Sequence, residues 1–273
     1  MMGAIIGDIV GSIYEFNNHR SKEFPLFGKG CFPTDDSIMT IAIGQALVDY
    51  QNGLQKDLSD AAIARMTEIG RFYPACGFGG RFFNWIFGNE HKPYNSFGNG
   101  AAMRVSGVVG CDVTLEEALK LSDKVTEISH NHPEGIRGAR ATVELAWGAK
   151  NGYNLAELTM RARKYYKRDF LGEFRCDNIR KNYRFNETCQ ETVPQAIEAF
   201  LEATSFEDAI RNAISLGGDS DTLAAITGTI AEWYFGIPEN MAIEATRYLD
   251  DRLLDAFESY VDEFAGNNII FED

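Results

Sequence analysis

Basic side chains are scarce in this sequence. Its 273 residues hold 26 Lys and Arg against 40 Asp and Glu, a formal net charge of −14. Proteins that grip nucleic acid through its phosphates need the opposite balance, so the chain is a poor candidate for that role. Long apolar runs are missing too, and nothing approaches the roughly 18 residues of a membrane span. The opening MMGAIIGDIVGSIYEF is apolar, but it has no basic start and Asp8 interrupts it, which argues against an export signal. Paired cysteines are absent. Cys31, Cys76, Cys111, Cys176 and Cys189 are scattered, odd in number and form no CxxC, which points to a reducing compartment and away from structural zinc. The expected location is the cytoplasm. Alternating apolar and polar residues are also nearly absent, and NNIIFED at 267–273 is the one weak strand candidate.

What remains is helical periodicity, almost from end to end. GAIIGDIVGSIYEF sets Ile5, Ile6, Ile9, Val10 and Ile13 on one side of a helix that should end at Glu15. LSDAAIARMTEIGRFY and TLEEALKLSDKVTEISH are amphipathic, and Thr114 with Glu117 reads as a capping box. PEGIRGARATVELAWGAK starts with Pro133 in its first turn, where the missing N–H costs little. TVPQAIEAFLEA and SFEDAIRNAISLG follow, the latter closed by Gly217 as a C′ glycine. ENMAIEATRYLDDRLLDAF continues the pattern. The expected fold is all-α, a compact single domain of many helices over residues 1–273 with no Pro/Ser-rich linker. Two non-periodic stretches, 16–32 and 164–189, read as long loops, and loops of that length are often functional. The second mixes basic and aromatic residues and is net positive, which suits either an anionic ligand or a solvated surface.

Two acidic clusters stand where helices begin. PTDDSIMT places Asp35 and Asp36 between Thr34 and Ser37, and GGDSDT places Asp219, Asp221 and Thr222 at i, i+2 and i+3. A single Asp before a helix is an ordinary cap that also favours the helix dipole. Capping needs neither two carboxylates with a hydroxyl nor the arrangement twice. Hard cations such as Mg²⁺ and Mn²⁺ take carboxylate, hydroxyl and water oxygens. Packed together without a cation, four or five carboxylates would repel and be expensive to desolvate. If the clusters meet in space, a shared and possibly two-metal site is the simplest account. Glu15, seven residues beyond Asp8 and on the same helical face, is a further candidate.

NSFGNGAAMRVSG, from Asn95 to Gly107, gathers glycines ahead of a helix-like run. Gly98 and Gly100 would let the backbone approach a ligand, the following N–H groups could hold a phosphate, and Phe97 could stack on a base. The competing reading is an ordinary glycine turn. SHNHPEG holds His130 and His132, which lack a third ligand at zinc spacing and read better as hydrogen-bonding groups.

GAIIGDIVGSIYE, PTDDSIMT, FGNGAAMRVS, SHNHPEGIRGA and GGDSDTLAAITGTIAEWYFG occur in the order seen in the ADP-ribosylglycohydrolase family, which the chain resembles from Gly3 to about Gly236. The resemblance implies an all-α fold with a binuclear Mg²⁺ or Mn²⁺ cleft. It also implies hydrolysis of the glycosidic bond between ADP-ribose and an acceptor. Carried over by position, Thr34, Asp35 and Asp36 resemble one set of metal ligands, and Asp219, Asp221 and Thr222 the other. Glu15 resembles the family's mobile acidic residue. Ser96, Phe97, Gly98, Asn99, Gly100 and Ala101 lie in what resembles the diphosphate- and adenosine-binding loop, with Phe97 against adenine. His130 matches the family's cleft histidine. Either Asp36 or Glu15 would take a proton from the attacking water. The implied partner is an ADP-ribosylated protein or small-molecule conjugate, or an ADP-ribosylated nucleic-acid end, with ADP-ribose as product. No membrane partner is expected, and a monomer is the default. The acceptor stays open, as do a hydrolase of other nucleotide or nucleoside conjugates and a non-catalytic ADP-ribose-binding or structural protein.

Overall fold

The computed structural model describes residues 1–264, so the strand expected at 267–273 lies outside the described residues. Among the described residues helix is the regular secondary structure, apart from two isolated bridges, Gly98 with Thr188 and Phe170 with Phe174. In order the helices are α1 (Met2–Gly11), α2 (Asp35–Gln51), α3 (Leu58–Gly70), α4 (Gly80–Phe87), α5 (Gly100–Met103), α6 (Ser106–Gly110), α7 (Leu115–Thr126) and α8 (Pro133–Lys150). They continue as α9 (Leu155–Tyr165), α10 (Cys176–Asn182), α11 (Cys189–Leu201), α12 (Phe206–Ser215), α13 (Ser220–Phe235), α14 (Glu239–Thr246) and α15 (Asp251–Phe264).

Several ends are written in local chemistry. Thr114 and Glu117 form the expected capping box, and Asn154 with Glu157 forms another. Pro133 opens α8, and Gly217 follows α12 at φ +72°, a left-handed position that suits glycine.

The centre of the molecule is the pair α1 and α13. α1 is buried along its whole length, and α13 from Ser220 to Trp233. A helix that is apolar on all sides belongs inside. A Cβ at Gly3 would lie 2.3 Å from the Gly228 carbonyl oxygen, at Gly7 2.1 Å from that of Ala224, and at Gly11 2.4 Å from the Asp221 Cα. The two helices thus run antiparallel and touch backbone to backbone. α8, α11 and α12 cover the rest of α13, and α2 packs on α1, α3 and α15.

Three expectations change. α1 does not reach Glu15: Ser12 turns its hydroxyl onto the Ile9 carbonyl at 2.8 Å, and Tyr14 N–H closes a tight turn on Gly11 at 2.8 Å. Serine competing for backbone groups in this way favours helix ends. The 239–257 pattern is two helices, because Asp250 accepts the Leu253 N–H at 3.0 Å and starts α15 afresh. The 164–189 stretch is not a bare loop, since α10 lies within it, too short to show a period.

Candidate metal centre and ligand cleft

The close contact of α1 and α13 sets Asp8 beside the first turn of α13, and α2 brings its own first turn to the same place. Asp8, Asp36 and Asp221 each offer a carboxylate oxygen within 4.8 Å of the others. Glu15, Asp219 and Asp221 do the same, so Asp221 belongs to both groups. The two clusters read from the sequence therefore meet, and the N-terminal ends of two helices favour their negative charge.

Short polar side chains hold these carboxylates in place. Asp8 accepts from the Thr34 hydroxyl at 2.6 Å, the Thr34 N–H at 2.9 Å, the Ser37 N–H at 3.1 Å and the Ser37 hydroxyl. Thr222 donates its hydroxyl to Asp36 Oδ2 at 3.2 Å, while the buried Asp36 Oδ1 has no protein partner. Asn99 reaches across from the glycine loop and donates to Asp219 Oδ2 at 2.6 Å. Asp35 N–H bonds the Cys76 carbonyl at 3.1 Å, and its carboxylate lies against Gly77, where a Cβ would come within 2.8 Å of Oδ1. Asp35 lines the cleft without joining either carboxylate group.

Glu15 arrives by a turn rather than along a helix face. Asn18 donates to the carbonyls of Glu15 at 2.8 Å and Gly218 at 2.9 Å, and its Oδ1 accepts the Gly218 N–H at 2.8 Å. This pins the Glu15 turn to the pair Gly217 and Gly218, both left-handed, that precedes Asp219.

All six carboxyls are pushed toward their protonated forms. Burial raises Asp8 to about 6 against the opposing pull of its Ser37 and Thr34 donors. Burial, then Asp219, Asp8 and Glu187, raise Glu15 to about 7. Asp35, Asp36 and Asp221 are held well above the usual range by burial and by neighbouring carboxylates. Asp219 is raised by burial despite its donors. Oxygen donors alone, an orphaned Asp36 oxygen and unrelieved mutual repulsion fit a hard divalent cation.

The cleft continues past the carboxylates to Ser96, Gly98, Asn99, Gly100 and His130. Phe97 and Ala101 are not part of its lining. The Phe97 ring is exposed and meets His132 edge-on at 5.1 Å, and Ala101 is buried in α5. His132 accepts the Glu134 N–H at 3.1 Å and caps α8. The sequence reading missed Asp8 as a cluster member and Arg104 and Glu187 as cleft residues. A signal existed for Asp8: one acid in a wholly apolar helix is a buried charge that needs partners. For Glu187 the signal was only its place in the 164–189 stretch; the fold brings it to the cleft through the Asn99 N–H bond to its carbonyl at 2.8 Å.

A family model described as ADP-ribosylglycohydrolase matches residues 1–268. The chain is 26% identical to ADP-ribosylhydrolase ARH3 of Xenopus tropicalis, with 92% of this chain and 91% of that protein aligned. It is 24% identical to the Homo sapiens ARH3 over 93% of this chain and 90% of the relative. A putative ADP-ribosyl glycohydrolase, L543, of Acanthamoeba polyphaga mimivirus is 22% identical over 87% of each. A solved structure titled ADP-ribosylglycohydrolase-related protein complex shares the fold, at TM-score 0.69 and 20% identity over 96% of each chain. With the match running through both acidic clusters and the glycine loop, the chain belongs to the ADP-ribosylglycohydrolase family.

Proposed function

We propose that the protein hydrolyses the bond between the anomeric carbon of ADP-ribose and its acceptor, using two Mg²⁺ or Mn²⁺ ions. The observation that carries this reading is the meeting of two carboxylate groups on Asp221, at one end of a cleft whose other wall is the Gly98–Gly100 loop with His130. Thr34, Asp35 and Asp36 would face one ion, and Asp219, Asp221 and Thr222 the other, with Glu15 beside them. Asp8, whose oxygens already accept from Thr34 and Ser37, fixes the Thr34 end of the site. Asp35 stands at the cleft side of the pair. When bound, the ions supply Lewis acidity and lower the proton affinity of water. Asn99 holds Asp219 while its backbone belongs to the ligand loop, so one residue aligns the metal and ligand ends of the cleft. Ser96, Gly98 and Gly100 leave room for a diphosphate, the exposed Phe97 ring beside them would stack on adenine, and Ala101 is buried in α5 behind the loop.

Glu15 takes the proton of the attacking water. It sits on a turn and is only half-buried, whereas Asp36 is buried on α2 and tied to Thr222. The acceptor departs through an oxocarbenium-like state, as in other glycosidases, and leaves with a proton, so that the water is divided into a hydroxyl on the anomeric carbon and a hydrogen on the acceptor. The protein would act as a monomer in the cytoplasm, a reducing compartment that suits its five free cysteines.

The test is release of free ADP-ribose from ADP-ribosyl-arginine, ADP-ribosyl-serine and ADP-ribosylated nucleic acid, each with Mg²⁺, Mn²⁺ or EDTA. Release from one class with metal, and none with EDTA, is expected and names the acceptor. Undiminished release in EDTA, or by Asp221→Ala, would overturn the two-ion reading. ADP-ribose binding without release from any acceptor would make the protein a reader.

A further inference from the structure

Behind the glycine loop lies a buried cation with no carboxylate in contact. Arg104 is fully buried, and its Nε and Nη1 have no partner. Its Nη2 donates to Ser129 Oγ at 2.8 Å, with His130 Nδ1 and the Val125 carbonyl both at 3.4 Å. Ser129 Oγ stands 2.8 Å from the same His130 Nδ1. Even with the Phe82 ring 5.4 Å from its guanidinium carbon, burying a cation with two nitrogens unbonded is costly, so the arrangement needs an account.

Donor bookkeeping supplies it. A guanidinium only donates, so Ser129 Oγ must accept from Arg104. The serine hydrogen is then free to go to His130 Nδ1. The serine oxygen has a second lone pair that could take a hydrogen from Nδ1, but Arg104 Nη2, which can only donate, also lies 3.4 Å from Nδ1. A hydrogen there would face that donor and leave the serine hydrogen without this acceptor. Nδ1 is therefore the bare nitrogen, and Nε2 carries the hydrogen. Nε2 faces the loop: a Cβ at Gly100 would lie 3.3 Å from it, and one at Gly98 3.5 Å. The glycines keep this N–H uncovered toward the cleft. The titratable groups facing the ring are Arg104, Arg81 from α4 and Tyr94, whose ring centroid is 5.8 Å away. Burial, then Arg104 and Arg81, hold the imidazole well below its usual range, hence neutral.

We propose that Arg104 and Ser129 are positioning residues that lock His130 as the neutral tautomer with its hydrogen on Nε2, aimed at an acceptor oxygen of the ligand between Gly98 and Gly100. The ligand half of this inference rests on the function proposed above, and the tautomer half does not.

Nitrogen-15 histidine labelling followed by long-range proton–nitrogen correlation reads the tautomer directly. The chain has 4 histidines, and His130→Asn assigns the signal. The expected spectrum shows a bare Nδ1 and a protonated Nε2, unchanged between about pH 6 and 8 where a free imidazole titrates. A hydrogen on Nδ1, or titration in that range, overturns the proposal without any variant. Ser129→Ala should then mix the tautomers and weaken ADP-ribose binding about tenfold, the loss of one oriented hydrogen bond to a charged group. Mn²⁺ affinity should stay the same. Arg104→Lys, which keeps the charge but not the fork, should do likewise. An unchanged tautomer in both variants, or an unchanged ADP-ribose affinity, overturns it. If the native protein fails to bind ADP-ribose, the functional reading falls while the spectrum still decides the tautomer.

Discussion

Asp221 lends an oxygen to both carboxylate groups, and Asp8 accepts four hydrogen bonds. These two acids should therefore respond differently to removal. Asp221→Asn replaces a carboxyl that burial and its neighbours already push toward the neutral form, so in EDTA the variant should melt no lower than the parent, while Mn²⁺ titration shows binding lost at both groups. Asp8→Ala strands the donors of Thr34 and Ser37, a loss of about 1–3 kcal/mol that urea unfolding in EDTA would show. Equal stability of the two variants would mean that the Asp8 hydrogen bonds do not hold the site together. The same residues show what could be read from the chain. Asp36, Asp219 and Asp221 were legible because each sits at a helix start beside another oxygen side chain. Asp8 looked like an interruption, since its Thr34 and Ser37 partners are more than twenty residues away in sequence.

At the scale of elements, the site depends on how closely α1 approaches α13. Gly7→Ala would drive a methyl group onto the Ala224 carbonyl, 2.1 Å from where the new Cβ would stand. Overpacking of this kind costs about 1–3 kcal/mol or more. Because the displacement also parts Asp8 from Asp221, Mn²⁺ affinity should fall together with the urea midpoint. A variant that loses stability but binds Mn²⁺ as before would show that the helices do not set the site. Most helices were visible as apolar periods, and their ends as caps such as Thr114 with Glu117. The errors lie where a single side chain overrides the period, as Ser12 does after α1 and Asp250 does before α15. Elsewhere, as in α10, too few turns exist to show one. Glu15 reached the site despite the wrong helical argument, because Asn18 rather than a helix face positions it.

At the scale of the whole molecule, the buried acids link stability to pH. Asp8 keeps its proton to about 6 and Glu15 to about 7, whereas in the unfolded chain both ionise near 4. Between those values the folded state holds more protons than the unfolded one, so stability falls as pH rises through this window. The net charge of −14 works in the same direction, through self-repulsion. Scanning fluorimetry in EDTA should show a melting temperature that declines from about pH 5 to 7.5. Saturating Mg²⁺ should remove most of that slope, and at a hundredfold excess over its Kd it adds about 2.7 kcal/mol. A metal-free melting temperature that rises with pH would contradict the buried, mutually repelling cluster.

The glycines of α1 have one more consequence. Where helices meet through side chains, a family can trade a leucine for a methionine and let the spacing drift. Here Gly3, Gly7 and Gly11 meet main-chain atoms, and main-chain atoms do not vary with sequence. The separation of Asp8 from Asp221 is thus insulated from the substitutions that accumulate in the loops around the cleft. Descendants of this fold can change what they hold at the open end, from one acceptor to another, without retuning the jaws that would grip the ions.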